Sequence, residues 1–180
     1  DSFAFFFRGV IGKVVEMFRP GAVVLQCGAD SLAGDRLGVF NLTLRGHAAC
    51  VEYCDALRIP MVVMGGGGYT MRNVARCWTF ETAKLLNVEI SNDLPPTKFF
   101  EYYTNSSEKG GSASTDYKLH IKPLAHLRDD NSRTYLEAVY TRVAESLRAV
   151  EAAPGVAIKT GAPGTRQDPS GIKFVTEPEE

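Results

Sequence analysis

Ala22-Val-Val-Leu-Gln-Cys27 runs into a glycine-rich loop from Gly28 to Gly38, and Met61-Val-Val-Met64 runs into Gly65-Gly-Gly-Gly68. Both apolar runs are short and nearly continuous in hydrophobicity. That pattern predicts strands buried on both faces, as in a parallel sheet. Between them, Thr43 to Leu57 reads as a helix that ends before Pro60, and Met71 to Leu86 reads as another after the second glycine run. Upstream, Phe3, Phe7, Val10, Val14 and Phe18 recur at spacings of three or four, a helical stripe with Asp1 or Ser2 as its cap and Pro20-Gly21 as its stop. The order helix, strand, loop, helix, strand, loop, helix implies βαβ crossovers. The expected class is α/β, an open parallel sheet with helices on both faces.

Two strands make a thin sheet. Together with the start at Asp1-Ser2-Phe3, which lacks an initiator methionine, this leads to the expectation that the chain is a piece of a longer one, with more of the sheet upstream. Beyond Asn87 the character changes. Leu94-Pro95-Pro96 and the aromatics Phe99, Phe100, Tyr102 and Tyr103 read as an irregular segment pinned by ring packing. Residues 105–115 (NSSEKGGSAST) form a polar, low-complexity insert. A last helix is expected over Thr134 to Val150, with a Thr134-x-x-Glu137 capping box. The Gly/Pro-rich tail, 156–180, is expected to be disordered.

The chain has 180 residues, enough for one domain. Its 44% hydrophobic and 23% charged content excludes disorder of the whole. A net charge of −1, from 20 basic and 21 acidic residues, gives no basis for broad electrostatic binding to nucleic acid or to an anionic membrane. No apolar stretch approaches the ~20 residues of a bilayer span. The four cysteines, Cys27, Cys50, Cys54 and Cys77, form no Cys-x-x-Cys pair. They read as reduced, buried thiols, because a metal at Cys50 and Cys54 would need two further ligands that no nearby histidine pair supplies.

Both glycine-rich loops follow the carboxyl ends of predicted parallel strands, the edge at which open α/β sheets bind ligands. If the strands are neighbours, the loops face one pocket. Asp30 is either a hard ligand for a divalent cation or a loop carboxylate capping the next turn. The glycine run allows close backbone approach to a ligand, a phosphate nest, or simply a tight turn. Tyr69, directly after it, is either a hydroxyl aimed at a developing oxyanion or a packed ring. Arg36 and Arg72, one after each strand, are either a pair for a polyanion or two solvated charges. His47, His120 and His126 are scattered and read as structural or surface residues.

At this point the residues carry a resemblance. Ala22 through Gly38, Phe40-Asn-Leu-Thr-Leu-Arg-Gly-His47 and Gly65 through Thr82 strongly resemble class I histone deacetylases, and Asn92-Asp-Leu-Pro95 and Phe99-Phe-Glu-Tyr-Tyr103 fit as well. The similarity covers residues 1–155 apart from the insert. It implies an arginase-like α/β fold, of which these residues are the C-terminal part, and zinc-dependent hydrolysis of acetyl-lysine amides. Residue by residue, it implies that Asp30 is a zinc ligand and Tyr69 the transition-state tyrosine. Leu37 lines the acetyl-lysine channel, and Gly66 and Gly67 stand beside its buried end. Arg36 and Arg72 match the arginines that bind inositol phosphate at the corepressor interface. The family's Asp-x-His ligand pair and its paired catalytic histidines have no counterpart in these 180 residues, so the chain alone is expected to be inactive.

The implied partners are acetylated histone tails and corepressor subunits, without sequence-specific nucleic acid binding and without a membrane. The implied place is the nucleus, with the cytoplasm as a second location. Two other readings stand beside the enzyme: a non-catalytic module that keeps the corepressor and inositol phosphate surface, and a related hydrolase of acetylated polyamines.

Overall fold

The computed structural model describes residues 2–103, 117–121 and 128–154. Asp1 as a cap, the 105–115 insert, His126 and the 156–180 tail lie outside these residues. Helix α1 spans Ser2–Phe18, strand β1 Val23–Gln26, α2 Leu44–Ala56, β2 Met61–Met64, α3 Met71–Leu85 and α4 Arg133–Leu147. Short 3-10 turns cover Ala29–Ser31 and Phe100–Tyr103.

The two strands pair in parallel, Val23 opposite Met61 through Gln26 opposite Met64. The expected burial on both faces is not met. Val23, Leu25, Met61 and Val63 are half-buried, while Val24, Gln26, Val62 and Met64 are exposed, Val24 by 68%. Among the described residues only one face of the sheet is covered. The arrangement of helices on both faces is therefore not observed, and an apolar strand face is left bare.

α1 stops where Arg19 takes a positive φ of 53°, just before Pro20. Its apolar stripe is only partly covered, and none of its residues is fully buried. It packs on α4, where Phe5 meets Tyr140 and the Arg133 guanidinium lies 4.0 Å over the Phe5 ring, and on α2 through Phe7 and Tyr53. α2 begins at Thr43, whose hydroxyl accepts from Gly46 N–H at 3.0 Å, the cap that a threonine supplies to an orphan N–H.

The expected capping box on α4 is replaced by a simpler device. Ser132, in extended conformation, is the N-cap and accepts from Tyr135 N–H at 3.2 Å. Glu137 instead receives a 2.6 Å hydrogen bond from Arg133 Nε. Beyond α3, the aromatic segment folds into the second 3-10 turn. Phe100 stacks on Tyr117 at 3.8 Å, and the buried Arg76 donates to the carbonyls of Lys118 and Tyr103.

The core cluster consists of Ala29, Leu32, Leu44, Val74 and Cys77, with Leu42, Phe80 and Ile121 against it. It joins the first glycine-rich loop to α2 and α3, and so it sits directly under the segment that carries Asp30. Among the described residues no helix is long and apolar enough to cross a membrane.

Candidate functional site

The carboxyl ends of β1 and β2 bring the two glycine-rich loops together. Ala29 N–H donates to the Gly67 carbonyl at 2.7 Å. Asp30 follows in the 3-10 turn and is half-buried. Its carboxylate accepts no hydrogen bond among the described residues. A Cβ at Gly67 would overlap that carboxylate, and a Cβ at Gly38 would overlap the Asp30 carbonyl oxygen. Glycine at 38 is therefore a steric requirement of the Asp30 turn, whereas a side chain at 67 would displace the Asp30 carboxylate.

Asp35 ties the loops a second time. Its Oδ1 accepts from Leu37 N–H at 2.8 Å and from Gly38 N–H at 2.9 Å, and its Oδ2 accepts from Tyr69 N–H at 2.8 Å. Thr70 Oγ1 donates to the Gly34 carbonyl at 3.0 Å beside it. Partial burial works to raise the Asp35 pKa, but the backbone donors of Leu37, Tyr69, Gly38 and Thr70 outweigh it and hold the carboxyl below its ordinary range. Leu37 and Tyr69 are thus held at one edge, both with exposed side chains, and the two loops are neighbours. Arg36 directly follows Asp35 in the first loop, and Arg72, three residues past Tyr69, lies in the first turn of α3.

Beneath Asp30 lies a group that reading by sequence spacing missed. His47 on α2 bonds through Nδ1 to Glu81 on α3, and through Nε2 to the Gly28 carbonyl at 3.0 Å. Both partners are acceptors, so each ring nitrogen carries a proton and the ring is an imidazolium. Burial lowers the His47 pKa, but the Glu81 carboxylate, by hydrogen bond and by charge, outweighs it and the net shift is upward. Cys77 Sγ is 3.6 Å from His47 Nδ1. These three residues offer metal-ligand atoms within 4.8 Å of one another. Both histidine nitrogens are already engaged, however, and the group acts as a buried ion pair that braces the Gly28 carbonyl. Only the Cys77–Glu81 spacing of four along α3 was visible in the sequence. His47 is structural, as expected, but at the foot of the candidate site.

All four cysteines are free, and three of them are buried, while Cys50 is only half-buried. Burial, followed by the charge of Glu81, pushes the Cys27 thiol up to about 12, and burial pushes Cys50 up to about 11. No metal-binding group forms around Cys50 and Cys54 among the described residues. His120 packs edge-on against Phe80 at 4.7 Å, and burial with the charges of Arg45 and Lys84 lowers its pKa. An apolar groove lies along α3 and the residues after it, lined by Trp78, Ala83, Leu86, Val88 and Ile90. Neither Asp30 nor Tyr69 lines it.

The family description "Histone deacetylase domain" matches residues 1–85. The probable histone deacetylase 1-A of Xenopus laevis is 48% identical over 179 residues, which is 99% of this chain and 35% of that protein. Histone deacetylase 1 of Homo sapiens is 51% identical over 156 residues, 87% of this chain and 30% of that protein. The type-1 histone deacetylase 1 of Dictyostelium discoideum is 47% identical over 157 residues, 87% of this chain and 30% of that protein. The chain thus spans about a third of the length of these curated relatives.

Proposed function

We propose, from the premise that this chain belongs to the class I histone deacetylase family, that it is the C-terminal part of an arginase-like catalytic domain that hydrolyses acetyl-lysine amides on histone tails. The observation that carries the reading is the joining of the two loops: Ala29 bonds to Gly67 and Asp35 to Tyr69, so Asp30 and Tyr69 share one edge.

Asp30 fits a divalent cation. It is a hard oxygen donor, half-buried, with no hydrogen bond to its carboxylate among the described residues, and Gly67 leaves open the space that a Cβ would fill. Zinc, when bound, supplies the charge that polarises the amide carbonyl and acidifies water. Asp30 is one ligand of the three that a catalytic zinc site normally takes from protein. The other ligands and the proton-handling histidines are assigned to segments outside these 180 residues, and the chain alone is inactive.

Tyr69 donates its hydroxyl proton in a hydrogen bond to the carbonyl oxygen as negative charge develops there, the interaction that is strongest in the transition state. Leu37 lines the channel for the acetyl-lysine stem, and Gly66 and Gly67 leave room at its buried end. Arg36 in the first loop and Arg72 in the first turn of α3 form a bidentate site for an inositol phosphate at the surface that receives corepressor subunits. Transcriptional repression and nuclear residence, with a cytoplasmic share, follow from this reading.

The test is deacetylation of an acetylated histone H4-type peptide by the intact gene product, with and without a zinc chelator, beside the 180-residue chain alone. The intact protein is expected to turn over the peptide and to lose activity with chelator, and the 180 residues alone to be inactive. Tyr69→Phe is expected to lower kcat by about 10²-fold. No turnover by the zinc-loaded intact protein, or normal kcat in Tyr69→Phe, would sink the assignment.

A further inference from the structure

Asp35 is none of the ligand, oxyanion or channel residues named above, yet it holds two of them. This carboxylate accepts from Leu37 and Gly38 N–H in its own loop and from Tyr69 N–H in the other at 2.8–2.9 Å, and the Thr70 N–H also favours its charged form. Tyr69 needs such an anchor. It follows Gly68, whose φ of 142° belongs to no helix or strand, and it precedes Thr70, the first cap residue of α3, whose side chain makes no capping bond. Neither a sheet ladder nor a helix fixes the Tyr69 backbone. Its side chain is 45% exposed, so packing among the described residues does not lock it either. What reaches it is the Asp35 oxygen at 2.8 Å and, one residue on, the Thr70 hydroxyl bonded to Gly34.

We infer that Asp35 is the positioning residue for Tyr69: it sets the backbone from which the tyrosine hydroxyl reaches the reacting carbonyl, and with the same carboxylate it fixes Leu37 opposite. The inference rests on the reading of Tyr69 as the oxyanion donor. A donor of that kind works because its geometry is set before the charge appears. An exposed tyrosine at the end of a glycine run has that geometry only if its main chain is pinned. The charge state matters as well. A carboxylate presents acceptors on both oxygens, whereas an asparagine presents one acceptor and one NH2 donor. Asp35→Asn keeps the size of the side chain but turns a donor toward either Tyr69 N–H or the Leu37 and Gly38 N–H pair.

The experiment compares kcat and KM of Asp35→Asn, Tyr69→Phe and the double variant in the intact gene product on an acetyl-lysine peptide, together with amide hydrogen exchange. Asp35→Asn is expected to lower kcat about 10- to 100-fold through misplacement alone, with KM near its original value. The double variant is expected to lose no more than Tyr69→Phe, because a residue acting through the hydroxyl has nothing left to act on. The Tyr69 amide is expected to exchange faster in Asp35→Asn, while the amides of α2 keep their protection. Additive losses in the double variant, or an unchanged Tyr69 amide, overturn the inference. If Asp35→Asn also loses the α2 protection, Asp35→Glu decides, since it keeps both acceptor oxygens and moves them by one methylene. A folded Asp35→Glu with lowered kcat supports the inference, and one with full kcat overturns it. Normal turnover in Tyr69→Phe would remove the oxyanion reading alone, and the Tyr69 exchange rate then decides whether Asp35 anchors that main chain.

Discussion

Glu81 and His47 form an ion pair between α3 and α2, with side chains only 4% and 12% exposed, and the far nitrogen of the His47 ring holds the carbonyl of Gly28 two residues before Asp30. Folding raises the His47 pKa above its ordinary 6.5, against the pull of burial, because the Glu81 carboxylate favours the charged ring. The folded chain therefore keeps a proton that the unfolded chain releases. This stabilisation is complete below about pH 6.5 and is lost as pH rises through the folded-state value. The urea midpoint is expected to fall as pH rises from about 6.5 through the raised folded-state value, and His47→Gln should flatten that fall. Glu81→Gln leaves the imidazolium without its counter-charge and should cost about 3 kcal/mol at neutral pH. An equal pH slope in the original protein and in His47→Gln would show that the pair does not set it.

Gly67 meets Asp30 through its missing side chain. A Cβ there would land on the carboxylate, the movable end of Asp30, so the carboxylate yields before the backbone does. On the proposed role of Asp30 as a zinc ligand, Gly67→Ala is expected to weaken zinc binding about 10- to 100-fold, in the range of changes beside a ligand, with a smaller effect on unfolding. Gly21→Ala is the control, since a Cβ at Gly21 meets nothing within 4 Å. Chelator competition on the intact protein measures both. Equal affinity in the two variants would mean that Gly67 does not shape the Asp30 environment.

The elements of this fold were legible because their signals are local. The valine-rich runs mark β1 and β2, the glycine runs end them, and the three-four spacing from Phe3 to Phe18 marks α1. The shared edge was legible too, because neighbouring parallel strands must place their following loops side by side. What the sequence hid is long-range or a matter of one hydrogen bond. Asp35 to Tyr69 and His47 to Glu81 each span 34 residues, with no spacing rule to connect them. Ser132 won the α4 cap over Thr134 by backbone conformation, which composition does not reveal. The bare face at Val24 and Val62 departs from the pattern because hydrophobic continuity reports what a strand is suited to pack against, not what covers it among the described residues.

Trp78 bridges the carboxyl ends of both strands. Its Nε1 donates to the Cys27 carbonyl at 2.7 Å after β1, and its ring edge lies 2.8 Å from where a Cβ of Gly65 would stand after β2. Gly65→Ala must push a rigid ring and is expected to cost about 1–3 kcal/mol. Trp78→Phe loses the hydrogen bond, about 1 kcal/mol, along with ring contacts. The phenyl ring lacks the edge atoms that clash, so the double variant should be more stable than the sum of the single losses predicts. Denaturant titration of the three variants tests this, and strict additivity would exclude a clash between Gly65→Ala and the indole.

The four thiols share a chemical environment but not an accessibility. The thiolate is the reactive form, and burial pushes Cys27 up to about 12 and Cys50 up to about 11, with Cys77 also raised, first by burial and then by the charge of Glu81. At about pH 8 every one of these is overwhelmingly protonated, so labelling by an alkylating reagent should be slow in the folded protein. The order then depends on exposure and on the thiolate fraction together. Cys50 is half-buried and has the smaller raised value, whereas Cys77 is fully enclosed between His47 and Glu81. Cys50 should be modified first and Cys77 last, with all four reacting together in denaturant. Mass spectrometry of time-quenched samples reads the order directly, and early labelling of Cys77 would mean that α2 and α3 separate far more readily than a buried ion pair between them permits.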